Sequence, residues 1–437
     1  MPTGVEIKGP CKILLSSLLW WPIQILYNFL NSNNLLIPNQ YGFRKSHSTD
    51  YALIKLYDKI IHSLSNKEHT FGIFMDLSKA FDTINHEILI NKLHNYGIRG
   101  TSLSWFKDYL KNRKQYVVYE SEKSQELNIT CGVPQGSILG PLLFILYIND
   151  IVKSSQLLTF IIFADDTNIL YSHKDLNTAI STLNNELSRI QLWFKCNKLS
   201  LNIKKTNFMY FRNVHSPQIQ CNILIDDIPL VEKQSTKFLG IEIDCNLTWN
   251  DQINNITKSI SRNIGIMNKL KYFISEKSLL TLYNALVLSY LNYCNIVWGS
   301  CSQTKINSLL LLQKKAVRIC NHSSYLAHTT PIFKNLKILT LNDIHTLHTS
   351  IFMYKYTTNL LPPSFSNFFN YNANIHSYPT RHSSDFHLHN PKTLIAHKSI
   401  RHHGPDIWNS LPQPLKRMTS LSSFKAATKK SLLSQYI

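Results

Sequence analysis

Apolar runs in the first half of the chain end at acidic residues. TFGIFMDLSKAF (70–81) is strand-like up to Asp76, and QLLTFIIFADDTNILYS (156–172) has two apolar runs separated by Asp165 and Asp166. Runs of this length that are rich in Phe and Ile predict buried strands. We therefore expect one strand that stops at Asp76 and a hairpin whose turn carries Asp165 and Asp166.

Other segments of the first half have the spacing of helices. Apolar residues recur at intervals of three and four from Leu176 to Phe194, which predicts an amphipathic helix. A second helix is predicted over 51–63, with Ser48 or Thr49 as its cap. A third is predicted to start at the Asp82-Thr83 pair. Helices and strands therefore alternate through this half of the chain.

The second half is predicted to be helical and strongly basic. Strand patterns fade beyond residue 250, and helical patterns follow over 250–272, 276–291, 303–320 and near 421–433. Residues 1–250 contain 25 Lys and Arg against 21 Asp and Glu, whereas residues 251–437 contain 21 against 5. This imbalance favours a polyanionic partner such as nucleic acid, and a solvated basic surface is the simpler alternative.

These patterns predict an α+β fold in three parts. Residues 1–245 form a mixed domain, 246–325 a helical domain, and 326–437 a basic C-terminal region to which we assign no role. The apolar segment 13–30 is similar to a membrane span, but it contains several polar residues. We interpret it as a core-facing helix that is broken or started at Pro22.

Cysteine and histidine residues suggest metal sites only weakly. The eight cysteines are scattered without a Cys-x-x-Cys pair, which fits a reducing compartment. Cys320 and His322 could supply half of a zinc site, but they lack a clear second pair. Seven histidines between His376 and His403 are irregularly spaced. Buried thiols and a solvated loop are the favoured interpretations.

The acidic residues suggest a specific chemistry. If their strands pair in one sheet, Asp76, Asp165 and Asp166 meet at one edge, where their charges repel unless divalent cations bind. Two Mg²⁺ ions held by aspartates support phosphoryl and nucleotidyl transfer. Each acid taken alone has a simpler interpretation, as a turn former at a strand end or as part of a solvated loop.

Ordered motifs along the chain resemble one protein family. The motifs occur in the order seen in reverse transcriptases, and their residues resemble those of non-LTR (LINE-type, jockey-like) retrotransposons. They are FMDLSKAFD, GVPQGSILGPLLF, FADD, LSLNIKKT and KFLGIEID. QYGFRKSHST before them and WGSCS and GPDIWNSLPQPLK after them also fit. The resemblance extends from about residue 23 onward. It implies a right-hand polymerase with fingers, palm and helical thumb.

The resemblance implies an RNA-directed DNA polymerase that makes cDNA from an RNA template, a DNA primer and dNTPs. Two Mg²⁺ ions, or Mn²⁺ in their place, would be its cofactors. Asp76 and Asp165 match the two metal-bridging carboxylates of the family, and Asp166 matches the third acid, which is often less directly bound. The backbone carbonyl of Leu77 would be a further metal ligand.

The resemblance also implies a nucleotide pocket. Phe81 matches the ring that excludes a ribose 2′-hydroxyl, with an ordinary core aromatic as the alternative. Gln135 matches the pocket lining, and Gly136 would let the backbone approach the templating base pair. Arg44 matches a cation over the triphosphate or template. Lys205 matches the lysine that protonates pyrophosphate, with Lys204 as the alternative match.

Two further groups of residues would contact nucleic acid. Phe238, Leu239 and Gly240 match the primer grip, for which a plain palm strand is the alternative. The helical region from about residue 250 would be the thumb. Its expected phosphate contacts are Lys258, Arg262, Lys269 and Lys271.

The sequence departs from the family pattern near its start. An Arg-Pro-Ile-Ser stretch is usual there, whereas VEIKGPCKILLSS contains no arginine, and no endonuclease or ribonuclease H signature is visible. We therefore expect an N-terminally truncated piece, and an inactive relic that binds nucleic acid is the main alternative to an active enzyme. An intron maturase and a basic scaffold protein fit less well. We expect a nuclear and cytoplasmic location and no stable membrane partner, and we predict no oligomeric state.

Overall fold

The computed structural model describes residues 6–8, 16–111, 113–120, 122–134, 136–214, 216–217, 219–375, 382–388, 390–391 and 393–436, with backbone alone at 6–8 and 16–23. The chain forms two compact units, each assembled from separate stretches of sequence. The sheet unit consists of Met1–Lys45, Phe71–Phe208 and Gln218–Glu232. The helical unit consists of Ser46–Thr70, Met209–Pro217 and Lys233–Ile437.

The strands are short and lie mainly before residue 245. They are β1 (Glu6–Lys8), β2 (His69–Met75), β3 (Lys114–Tyr119), β4 (Glu122–Lys123), β5 (Leu127–Asn128), β6 (Thr159–Phe163), β7 (Asp166–His173), β8 (Asn207–Phe211), β9 (Leu224–Ile225), β10 (Ile228–Pro229), β11 (Val231–Glu232), β12 (Ser235–Phe238) and β13 (Ile241–Asp244).

The helices occur throughout the chain and dominate its second half. They are α1 (Ser16–Ser32), α2 (Thr49–Ser65), α3 (His86–Asn95), α4 (Gly100–Leu110), α5 (Leu139–Ile148), α6 (Leu176–Cys196), α7 (Asn250–Leu270), α8 (Glu276–Tyr283), α9 (Ser289–Asn292), α10 (Asn295–Trp298), α11 (Gln303–Cys320), α12 (Thr329–Asn335), α13 (Leu341–Thr357), α14 (Leu394–His397), α15 (Ile400–Ser410), α16 (Gln413–Lys416) and α17 (Leu421–Ser434).

A five-stranded sheet has the strand order β11-β8-β2-β7-β6, and most of its residues belong to the sheet unit. β6 and β7 form an antiparallel hairpin in which Phe163 is opposite Asp166. β11 runs parallel to β8. β2 is almost wholly buried and ends at Met75. The predicted strand that stops at Asp76 and the predicted hairpin are both confirmed.

Two helices of the sheet unit follow directly from their sequences. α5 is buried along its length because LGPLLFILYI is apolar on every side. α6 is amphipathic and buries Leu183, Leu187 and Ile190, while Leu192 on its other side is exposed. The helix predicted from the spacing of these leucines is confirmed.

Two helix boundaries differ from the sequence predictions. α1 runs through Pro22 without a break, although a proline in a helix interior loses one backbone hydrogen bond. Asp82 and Thr83 do not start a helix, because both donate their N–H groups to the Lys79 carbonyl in a turn. α3 begins at His86 instead, and the side chain of Asn85 caps it.

The helical unit includes α2, which the sequence placed in the domain 1–245. Ser48 caps α2 as predicted, its hydroxyl accepting from the Tyr51 N–H at 3.4 Å. Arg401 Nη2 donates to Asp58 Oδ2 at 2.9 Å, which ties α2 to α15. The compact units therefore follow different limits from the expected three-part division, which stays a prediction.

The C-terminal motifs build the core of the helical unit. Trp298 of WGSCS is fully buried, and its Nε1 donates to the Tyr293 carbonyl at 2.9 Å. Trp408 of GPDIWNSLP is buried with its ring 6.1 Å from that of Phe424. Cys320 is buried and contacts the carbonyl of Leu279. Among the described helices, none is long and apolar enough to cross a membrane.

Candidate active site

Three carboxylates meet at one edge of the central sheet. Asp76 follows the last residue of β2, Asp165 lies in the β6–β7 turn, and Asp166 is the first residue of β7. β2 and β7 are neighbours in the sheet, so the strand ends place these acids together. The structure therefore brings together the three acids singled out from the sequence.

The three acids influence one another electrostatically. The pKa of the Asp166 carboxyl is raised to about 6. The main cause is partial loss of hydration at the strand end, and repulsion by Asp165 and by Asp76 adds to it. A bound cation would relieve this repulsion.

Asp76 is fixed by the segment that precedes β8. Its N–H donates to Thr206 Oγ1 at 3.3 Å, and its carbonyl accepts from the Asn202 N–H at 2.8 Å. Lys205 Nζ lies 3.7 Å from Asp76 Oδ2. Of the two adjacent lysines considered from the sequence, Lys205 is therefore the one in contact with the carboxylate.

The acids fit a divalent metal ion by their chemistry. Mg²⁺ prefers oxygen ligands and is usually held by one or two carboxylates together with substrate phosphates. Leu77 pairs with Leu201 in an isolated bridge that engages the carbonyl of Asp76 rather than that of Leu77. Within the described ranges, no three His, Cys, Asp or Glu side chains form a ready-made metal site.

The ring of Phe81 packs against two other phenylalanine rings of the sheet unit. It stacks on Phe144 with ring centroids 4.5 Å apart, and Phe43 approaches it edge-on at 6.4 Å. Its carbonyl accepts from the Val133 N–H at 2.9 Å, which anchors the loop before Gly136. Phe81 is half-buried, so part of its ring remains accessible.

The loop expected to line the nucleotide pocket is only partly described. Gly136 has φ +82°, a left-handed conformation that favours glycine, and a Cβ at this position would meet open space. Gln135 lies outside the described residues. Gly132 also needs to be glycine, because a Cβ there would lie 2.7 Å from the Asp82 carbonyl oxygen.

Gln40 is a site residue that the sequence reasoning missed. It is fully buried, and its Oε1 accepts from the N–H groups of Gly42 at 2.7 Å and Ala164 at 3.0 Å. Gly42 fits so closely that a Cβ there would lie 2.3 Å from the Ala164 nitrogen. One buried amide therefore fixes the turn that carries the acids. The only sequence signal was a polar residue in QYGF.

Arg44 braces its own loop. Its guanidinium donates to the carbonyls of Ile37 and Gln40, and burial lowers its pKa. Arg44 Nε is buried without a hydrogen-bond partner among the described residues. The expected triphosphate contact of Arg44 stays a prediction, and the structure assigns this side chain a positioning role within residues 37–44.

The expected primer grip is a tight hairpin of the helical unit. Leu239 and Gly240 have φ values of +47° and +80° between β12 and β13. Tyr293 OH donates to the Leu239 carbonyl at 2.6 Å and so supports the turn. Phe238 is buried, which leaves the turn itself as the accessible part. The sequence reasoning did not identify Tyr293.

The expected thumb cations lie on or next to α7. Lys258, Arg262 and Lys269 are exposed and share one side of α7, because their separations of four and seven residues are close to whole helical turns. Lys271 follows the end of the helix and is partly covered. These cations belong to the helical unit, and the carboxylates belong to the sheet unit.

Known proteins share sequence similarity with this chain. The family described as "Reverse transcriptase (RNA-dependent DNA polymerase)" matches residues 22–243. The chain is similar to the probable RNA-directed DNA polymerases from transposon X-element (26% identity, 74% of this chain, 36% of the relative) and transposon BS (28%, 79%, 39%) of Drosophila melanogaster. It is also similar to the RNA-directed DNA polymerase from mobile element jockey of the same species (27%, 78%, 38%).

Among solved structures, telomerases share distant similarity with the chain. The telomerase from Candida albicans with a TWJ fragment of telomeric RNA has 14% identity and a TM-score of 0.38, covering 73% of this chain and 57% of that one. Apo telomerase from Candida Tropicalis has 12% identity and a TM-score of 0.42, covering 73% and 53%. The chain spans less than two fifths of the length of the three curated relatives named above. Because the family match covers more than half of the chain, the protein belongs to the reverse transcriptase family.

Proposed function

We propose that this protein is an RNA-directed DNA polymerase of a non-LTR retrotransposon, which copies an RNA template into DNA from a DNA primer and dNTPs. The observation that supports this most is the meeting of Asp76, Asp165 and Asp166 at one sheet edge, inside the family match. The reverse transcriptase family generally uses divalent metal ions.

The carboxylates would hold the metal ions of the reaction. Asp76 and Asp165 would hold two Mg²⁺ ions, with Asp166 as the less directly bound acid, the Leu77 carbonyl as a further ligand and Mn²⁺ as a substitute. When bound, such ions favour ionisation of the primer 3′-hydroxyl and stabilise charge on the transferred phosphate. The 3′-hydroxyl would release its proton to solvent, its oxygen would bond to the α-phosphorus, the bond to the bridging oxygen would break, and pyrophosphate would leave.

Other side chains would orient the substrates. Phe81, held against Phe144, would occupy the space of a ribose 2′-hydroxyl and so select deoxynucleotides. Lys205 would pass a proton to the leaving pyrophosphate from its place beside Asp76. Gln135 and Gly136 would line the nucleotide pocket, and residues 238–240 would position the primer.

Primer extension on an RNA template tests the proposal. With a DNA primer, dNTPs and Mg²⁺, Asp165→Asn should reduce incorporation by a factor of about 100 or more, because a charged metal ligand is lost. Asp226→Asn is the matched control, since this exposed acid of the same unit pairs with Lys195 and should keep normal activity. Equal incorporation by the wild type and Asp165→Asn would exclude the proposed site.

A second candidate function is binding of nucleic acid without polymerisation. The observation that favours it is Arg44, whose guanidinium is engaged by the carbonyls of its own loop. This candidate predicts salt-dependent binding of template–primer with no extension under any metal tested. Extension by the wild type would exclude it.

For either function we propose a nuclear and cytoplasmic location, which cell fractionation can test.

A further inference from the structure

Two loops of the helical unit expose large apolar side chains. Tyr272 and Phe273, between α7 and α8, are 78% and 83% exposed. Tyr325 and Leu326, between α11 and α12, are 69% and 87% exposed. Side chains of this size commonly lose most of their exposure on folding, and exposed groups of them mark binding surfaces. These four side chains therefore point to a ligand.

The two loops lie at the same end of the helical unit. The first turns of α7 and α11 line one cavity, and Lys305 Nζ of α11 donates to the Thr248 carbonyl just before α7. The two helices pack on each other and contain 21 and 18 residues. Cys320, the last residue of α11, contacts the Leu279 carbonyl of α8 at 3.6 Å, and α8 begins three residues after Phe273. The loop before α8 and the loop after α11 are therefore neighbours.

Cations accompany the aromatic rings in both loops. Lys271 Nζ lies 4.8 Å from the ring centroid of Tyr272, and the Arg318 guanidinium lies 6.0 Å from that of Tyr325. Lys269 is exposed one turn before the first loop. Glu276 is the single acid in residues 269–278, and residues 318–330 contain no acid. This surface has the charge of a partner for a polyanion.

Backbone hydrogen bonds fix the loops, so their side chains are free to contact a ligand. The Phe273 N–H donates to the Leu270 carbonyl at 2.9 Å, and Ser275 caps α8 directly afterwards. In the second loop, the Ala327 N–H donates to the Ser324 carbonyl at 3.1 Å, and the side-chain Nε of Arg318 donates to the Ala327 carbonyl at 2.9 Å. The rings are thus presented by ordered turns and are not needed to hold the turns together.

We propose that this surface, the end platform, binds unpaired bases of single-stranded nucleic acid. It consists of Tyr272, Phe273, Tyr325 and Leu326 with the neighbouring cations Lys269, Lys271 and Arg318. The rings stack on bases of any type, and the cations contact the adjoining phosphates. The end platform rests on the proposed function in one respect, that the ligand is nucleic acid. It shares Lys269 and Lys271 with the expected thumb cations, and it adds rings that would stack on bases, which phosphate contacts alone do not provide.

Fluorescence anisotropy with the full chain tests the end platform. The probe is labelled oligo-dT of about 20 nucleotides, long enough for one single-strand site, without metal ions or dNTPs. Tyr272→Ala/Phe273→Ala should weaken binding of this probe about tenfold or more, because stacking is lost. A blunt duplex of the same length should lose less than about twofold, since its bases are already stacked. Leu394→Ala, an 81% exposed residue of the same unit, is the matched control.

Two results would contradict the end platform. One is an unchanged oligo-dT affinity in Tyr272→Ala/Phe273→Ala, which would favour a protein as the partner of this surface. The other is full affinity in Tyr272→Leu/Phe273→Leu, which keeps apolar bulk but has no aromatic ring. Far-ultraviolet circular dichroism verifies that each variant is folded.

The same assay separates this inference from the proposed function. If the wild type extends primers but the aromatic variants keep full affinity for oligo-dT, the end platform alone is wrong. If binding depends on the aromatic rings but no extension occurs, the polymerase proposal alone is wrong.

Discussion

The carboxyl of Asp166 has a raised pKa because it has lost hydration and has acidic neighbours. Its pKa in the folded protein, about 6, lies above the ordinary value of 3.8. Between pH 3.8 and about 6, the folded protein therefore holds a proton that the unfolded chain releases. The stabilisation of the folded state by this proton is full below pH 3.8. It is lost as the pH rises to about 6. A cation that binds the ionised acids acts in the opposite direction and stabilises the folded state mostly above this range.

We expect Mg²⁺ to stabilise the protein more at pH 7.5 than at pH 5. The rise in melting temperature on adding Mg²⁺, measured by differential scanning fluorimetry, should grow through pH 6 in the wild type. Asp166→Asn should weaken this pH dependence, because the titrating carboxyl is replaced by a neutral amide. An identical pH dependence in both proteins would show that Asp166 is not coupled to the metal site.

Phe81 is expected to control the choice of sugar. Phe81→Ala should reduce the ratio of kcat/KM for dNTPs over rNTPs by a factor of about 10 or more, since the excluding ring is removed. Phe81→Tyr keeps the ring and should retain most of the discrimination. The measurement is single-nucleotide incorporation on one template. Loss of discrimination in both variants would argue against exclusion by the ring.

At the scale of the element, the turn between β6 and β7 depends on a segment distant in sequence. Gln40 and Ala164 are 124 residues apart, yet the Gln40 amide satisfies both the N–H and the carbonyl of Ala164. Residues 39–41 continue this contact along β6 through the backbone of Ile162. The acids of the turn are therefore positioned from outside the hairpin.

We expect Gln40→Leu to reduce the free energy of unfolding by about 2–4 kcal/mol, because two buried N–H groups lose their acceptor. Urea denaturation measures this change, and primer extension should fall as the turn loses its support. Gln125→Leu is the control, because Gln125 is exposed in the same unit. Equal stability of the two variants would show that the Gln40 hydrogen bonds contribute little.

The sequence predicts elements whose signal is local. β2, the β6–β7 hairpin and α6 follow from apolar spacing within each segment, and the meeting of the acids follows once their strands are neighbours. Gln40 could not be predicted in this way, because its partners depend on tertiary pairing. The start of α3 was misplaced because Asp82 and Thr83 have capping side chains but lie in a turn closed by Lys79.

At the scale of the whole molecule, the uneven charge predicts salt-dependent binding. Replacing Lys258, Arg262 and Lys269 with Gln should reduce the slope of log affinity against log salt for template–primer by about 2–3, roughly one for each lost phosphate contact. Replacing Lys425, Lys429 and Lys430 of α17 with Gln changes the net charge equally and should affect the slope less. Equal slopes for the two triple variants would contradict a specific role for the α7 cations.

The helical unit takes α2 from the first part of the chain and most of its other residues from beyond position 233. Tyr57 packs on Trp249 with rings 5.4 Å apart, and Asp58 pairs with Arg401. A hybrid chain that takes α2 from one relative and the C-terminal region from another would join surfaces that do not match. Such hybrids should fold poorly unless residues 46–70 and 233–437 are inherited from the same parent, so the two stretches are expected to evolve as one module.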